Sequence, residues 1–166
     1  MTYQTMNITR EKARLGAIAG LFTVLLMGSM MLPTVTLAGG KGDRVQKTSK
    51  HDFATTVQEL KKAVSAQNLV ILKDYNVQMM VKMVGVKADP AITLAVFHPR
   101  YGKVLYANDK DAFEMVPIRI IVQQRGKKVI VGYQKPSALF SGYDVPKKTV
   151  QELDGLFESI VNSIAK

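Results

Sequence analysis

The chain contains no cysteine. That absence removes disulfides, thiol nucleophiles, acylation on cysteine and covalent haem attachment through a Cys-x-x-Cys-His motif. A domain built this way is held together by its core. Histidine is nearly as scarce, with only His51 and His98. No Gly-x-Ser-x-Gly elbow occurs, and Ser65, Ser137 and Ser141 lack the motif context of an acyl-transfer nucleophile. There is no paired-carboxylate signature, internal repeat or low-complexity tract. These absences direct the reading toward a binding or structural role ahead of an enzyme.

Charge is missing from one long stretch. Residues 15–40 carry no charged side chain, and an apolar run occupies residues 17–32. Arg10, Lys12 and Arg14 precede it, and Pro33 follows as a helix breaker. Thr36-Leu37-Ala38 then offers the small residues that a signal peptidase reads. The order predicts that residues 1–38 form a signal peptide cut after Ala38, or an uncleaved N-terminal anchor. A secretory apolar region spans about 7–15 residues and a membrane-spanning helix about 17–25, so this run lies at the border. Either way the rest of the chain is expected outside the cytoplasm, periplasmic or otherwise extracytoplasmic.

With 166 residues there is room for one folded domain. The net charge is +10. Removing residues 1–38 takes away three of the 23 basic and one of the 13 acidic residues, leaving +8. For an exported domain this excess suits a redox or membrane partner better than nucleic acid. The lysines are scattered along the sequence, which suggests a solvated surface.

Residues 39–50 are polar and read as a flexible linker, with the domain at 51–166. Phe53, Val57, Leu60 and Val64 form one helical stripe behind a cap at Ser49 or Asp52. Asn68 suits the left-handed residue that ends such a helix. Residues 69–72 read as a strand, 76–84 as a short helix stopped by Gly85, and 91–97 as a central apolar strand. Residues 100–110 are expected to be helical. Strands at 115–123 and 128–133 flank a turn with Gly126 at positive φ. An irregular crossing at 136–146 leads to a last helix at 149–164, whose buried face holds Leu153, Leu156, Phe157, Ile160, Val161 and Ile164. The order predicts an α+β fold: a mostly antiparallel sheet covered on one face by helices.

Several of these segments carry a family resemblance. The helix at 53–68, the strand ending at His98-Pro99, the stretch Val116-Pro117-Ile118-Arg119-Ile120-Ile121-Val122 and the hairpin leading to Lys135-Pro136-Ser137 resemble the domain-of-unknown-function family 302. The likeness spans residues 48–165. It implies an α+β fold similar to the TATA-binding-protein class, and a homodimer. It implies no agreed reaction. Where the family often has Cys-Asn-Pro, this chain reads Phe97-His98-Pro99, so any thiol role is lost.

The candidate site centres on His98, which closes an apolar strand where side chains commonly face a pocket. Met80 and Met83, three apart, or Met79 and Met83, four apart, share a helix face. Thioethers suit Cu(I), and a neutral imidazole can complete such a site, which gives His98, Met80 and Met83 as metal ligands. Methionine and histidine also serve as the axial ligands of haem iron, so His98, Met79, Met83 and Met115 form a candidate haem b site lined by Tyr101 and Tyr106. The alternatives are methionines that fill core gaps and a structural histidine. The sequence therefore poses a non-enzymatic, cofactor-holding domain against a structural or partner-binding module without cofactor.

Overall fold

The computed structural model describes residues 43–166. The expected signal or anchor segment and the first part of the expected linker lie outside the described residues. Five strands form one antiparallel sheet: β1 (Arg44–Thr48), β2 (Val70–Asn76), β3 (Ala91–Phe97), β4 (Ile118–Arg125) and β5 (Lys128–Gln134), in the spatial order β1-β5-β4-β3-β2. The helices are α1 (Phe53–Ala66), α2 (Val77–Met83), α3 (Pro99–Asn108), α4 (Pro136–Leu139) and α5 (Lys147–Ile164), with a 3-10 turn at Asp111–Met115.

Strand alternation sorts the sheet into two faces. Leu94 and Val96 of β3, Ile120 and Val122 of β4, and Val131 of β5 are buried beneath the helices. Against them pack Leu60 and Val64 of α1 and Leu153, Phe157, Ile160 and Val161 of α5. The rings of Phe157 and Tyr133 lie 5.5 Å apart, tying α5 to β5. The α+β architecture with helices covering one face is thus as the sequence predicts.

Local chemistry sets the element ends. Asp52 caps α1 by accepting from the Thr55 backbone N–H at 2.8 Å. Asn68 adopts φ 59° just past α1, and Gly126 adopts φ 57° between β4 and β5. Pro99 occupies the first turn of α3, where its missing N–H leaves no bond unmade.

Four expectations change. The expected linker is strand from Arg44 onward, because an edge strand pairs on one side only and needs little apolar content. Its end is fastened: Ser49 N–H donates to Val129 O at 2.8 Å and Lys50 N–H to Ile164 O at 3.1 Å. The strand expected at 69–72 runs on to Asn76, with a register shift between Ile71 and Lys73. Residues 115–117 are not strand: the 3-10 turn reaches Met115, and Pro117 has no N–H for a ladder. The irregular crossing contains α4.

Candidate functional site

Across the sheet, the residues of opposite parity face away from α1 and α5. There Arg44, Gln134, Arg119 and Ala95 stand in one cross-strand row, with Gln46, Gly132, Ile121 and Thr93 in the next. A cleft of about 510 Å³ opens over these rows. Thr93, Ile121 and Gly132 line its floor, Glu114, Met115 and Pro117 one wall, and Leu139 of α4 another.

The floor is shaped by a missing side chain. A Cβ at Gly132 would stand 3.2 Å from the Val45 carbonyl oxygen and 3.3 Å from Gln46 Cγ, so glycine lets β1 lie close beside β5. Arg44 and Arg119 are both exposed at the rim. They flank Gln134, two strand spacings apart, roughly 10 Å between backbones. Among the described residues neither belongs to a salt bridge; the pairs are Lys61–Asp74, Lys62–Glu59 and Arg100–Glu152. The cleft thus joins apolar walls (Met115, Pro117 and Leu139) and Ile121 of the floor to two unspent guanidinium groups, with Glu114 as the acid among its lining residues.

His98 lies elsewhere. It precedes α3, its ring edge-on to Tyr101 at 4.7 Å between centroids. Its Nδ1 is buried without a hydrogen-bond partner. Beside it is a void of about 20 Å³ lined by apolar groups that include Leu69, Leu105, Leu153 and Phe157. Loss of hydration holds the imidazole below its ordinary pKa, and the nearby Arg100 guanidinium pushes the same way.

That depression makes a pH prediction. A histidine held neutral in the fold contributes stability fully above its ordinary pKa of 6.5 and loses it as the pH falls. The melting temperature is expected to begin falling on the acid side of pH 6.5, above the range where carboxylates titrate. Thermal melts of His98→Phe should be flatter across that window. An equal slope in both proteins would show that His98 is not the group responsible.

The sequence-predicted site residues do not form one site. His98 and Tyr101 meet, but Met79, Met80 and Met83 stand on α2, at the other end of β3. Asn76, just before α2, pairs with Ile92, whereas His98 follows Phe97. Six residue steps separate Ile92 from His98, about 20 Å at ~3.3 Å per residue. The joint sites of His98 with Met79, Met80 and Met83 are therefore corrected: adjacency on a helix did not translate into adjacency to the histidine. Met79, Met80 and Met83 are exposed and do not fill the core. Met115 lines the cleft, away from the void beside His98. Tyr106 is exposed, edge-on to Phe113 at 5.4 Å, with Lys110 Nζ 6.0 Å from its ring. Among the described residues, no three histidine, aspartate or glutamate side chains gather into a metal-holding group.

Sequence reasoning missed Arg44, Arg119 and Gly132. Alternation in Ile118-Arg119-Ile120 points Arg119 away from the core, but only strand order brings Arg44 beside it.

The fold and the matched sequence now define the class. Residues 45–164 match the family described as Domain of unknown function DUF302, and the chain belongs to that family. Among solved structures it is similar to an uncharacterized conserved protein DUF302 from Bacillus stearothermophilus, seen in a crystal structure, with a TM-score of 0.70 and 14% identity. The likeness covers 74% of this chain and 98% of that one, and it concerns the fold. No match is found among curated proteins.

Proposed function

We propose that the domain is a non-enzymatic binding module, and that the open-face cleft holds a flat amphipathic carboxylate. The observation that carries this reading is the pair of unspent arginines, Arg44 and Arg119, at the rim of a cleft of about 510 Å³ with apolar walls. Pockets for small ligands commonly measure about 300–1,000 Å³ and combine apolar walls with a few placed polar groups. Guanidinium groups grip carboxylates through paired N–H donors. Haem b belongs to this ligand class: Arg44 and Arg119 would hold its propionates, and Met115 at the wall would offer a thioether.

Titration with hemin, followed by visible absorbance, tests the reading. Saturable uptake is expected. The double variant Arg44→Ala, Arg119→Ala should weaken it at least about tenfold, since each charge-assisted hydrogen bond contributes ~1.5–3 kcal/mol. Met115→Leu should alter the spectrum if its sulfur reaches the iron. Absence of saturable uptake, or unchanged affinity in the arginine variant, overturns the assignment.

We also propose that the protein acts outside the cytoplasm, on the strength of the basic flank and apolar run at residues 10–32. Mass spectrometry of the native protein should find a chain starting near Gly39 if the segment is cleaved, or a membrane-bound chain if it anchors. An intact chain in the soluble cytoplasmic fraction would defeat this.

A further inference from the structure

The large exposed hydrophobic side chains are not scattered. Among the described residues, Val70, Leu72, Tyr75, Met79, Met80, Met83, Val84 and Val86 all fall between residues 70 and 86, and Tyr106 alone lies elsewhere. The second half of this set is the more unusual. No residue of α2 is buried, although five of its seven residues are valine or methionine. Met83 is 78% exposed and Val84 76%. Isolated exposed hydrophobics need no explanation, but a clustered set marks a contact surface.

What surrounds α2 identifies the kind of surface. Lysines that are scattered in sequence gather at this end of the sheet. Arg125 and Lys128 form the closing pair of the β4–β5 hairpin, with Lys127 in its turn. Gln124 N–H donates to Pro90 O at 2.8 Å, which places the hairpin beside the loop that follows α2. That loop carries Lys87 and is held to α2 by Gln78 Nε2 donating to Ala88 O at 2.9 Å. Lys82 projects from α2 itself, and Lys50 lies beside Val129 through the Ser49 pairing. These six cations are exposed. The acids near this end include Asp89, Asp52, which is engaged in capping α1, and Asp74, which pairs with Lys61.

We propose that this pole docks onto an anionic lipid surface, with Met79, Met80, Met83, Val84 and Val86 entering the interface and the surrounding cations meeting headgroups. Apolar side chains ringed by lysine and arginine are the composition that seats in the headgroup boundary of an acidic bilayer. A nucleic acid would satisfy the cations and leave the methionines and valines in water. A second copy placed pole to pole would set cations against cations. The docking does not depend on what fills the open-face cleft.

The chain has no tryptophan, so one introduced residue reports its own surroundings. In full-length Met83→Trp, tryptophan emission is expected to shift to the blue with vesicles of equal parts phosphatidylcholine and phosphatidylglycerol, and not with phosphatidylcholine alone. Lipids brominated on the acyl chain should quench it. Tyr106→Trp, at the far end of the sheet, should show neither change, whatever the N-terminal segment does. Reversal of Lys82, Lys87, Lys127 and Lys128 to glutamate in the Met83→Trp chain should raise the lipid concentration for half-maximal shift by at least roughly tenfold, a lower bound for the loss of four headgroup contacts. Unchanged melting of each variant secures the comparison. Three outcomes overturn the proposal: no shift in the Met83→Trp chain, a shift that grows with protein concentration and needs no lipid, or a charge-reversed variant that responds like the parent. The second outcome would assign the patch to a second copy of the chain.

Discussion

Phe157→Ala is expected to lower the stability of the domain by about 3–5 kcal/mol, the usual range for removing a buried aromatic side chain. Phe157 is 1% exposed and sits where α5 meets the sheet, its ring 5.5 Å from Tyr133. It also borders the void of about 20 Å³ next to His98. Truncation would join the vacated volume to that void, and the cost of a core truncation rises with the cavity left behind. The upper half of the range is therefore expected. Whole domains are stable by only about 5–15 kcal/mol, so the variant should stand near its unfolding limit. Urea titration should show the midpoint falling with little change in slope. Phe157→Leu, which refills most of the space, should lose far less. A loss below about 1 kcal/mol for the alanine variant would mean that α5 does not pack as described.

Gly102→Ala should also destabilise, by less and for the opposite reason. A Cβ at Gly102 would lie 2.4 Å from Cε2 and 2.5 Å from Cζ of Phe97, well inside contact distance. Glycine lets the first turn of α3 press against the last residue of β3, where Gly102 N–H donates to His98 O at 2.8 Å. Phe97 cannot move without disturbing its edge-to-face contact with Phe113, at 6.3 Å between centroids. Overpacking of this kind costs about 1–3 kcal/mol. In an exposed helix the same change would stabilise, because alanine is the better helix former, so the sign itself is diagnostic. Phe97→Leu in the same chain should recover part of the loss, and the double-mutant cycle measures that coupling. Additive effects would show that the two residues do not touch.

Both predictions concern elements that were readable from sequence to different degrees. The β3 strand was legible because seven apolar or small residues run unbroken between Asp89-Pro90 and His98-Pro99. The α1 and α5 helices were legible because their stripes repeat at helical spacing and α1 has a capping aspartate. β1 was not, since RVQKT has a single apolar residue and owes its strand state to β5. Pairing is a property of the partner as much as of the strand.

The site was less legible than the fold. His98 attracted notice by its rarity and its place before a proline, and the structure gives it an orphaned Nδ1 in an apolar setting. The α2 methionines attracted notice as soft ligands, yet β3 lies between them and the histidine. Arg44 and Arg119 are 75 positions apart and belong to no motif; the cross-strand row makes them neighbours. Composition located ionic and sulfur chemistry but could not place it, because proximity here is created by strand order.

The fastening of β1 also bears on how the chain reaches this fold. Ser49 Oγ donates to Ile164 O, a contact spanning 115 positions, and Lys166 N–H donates to Thr48 O at 3.0 Å. The β4–β5 hairpin can close locally, whereas this seam must wait for nearly the whole domain to be in place, because closing so long a loop is entropically late. Hydrogen exchange on β1 should therefore be faster than on β4, since the last seam to close during folding is the first that native fluctuations reopen.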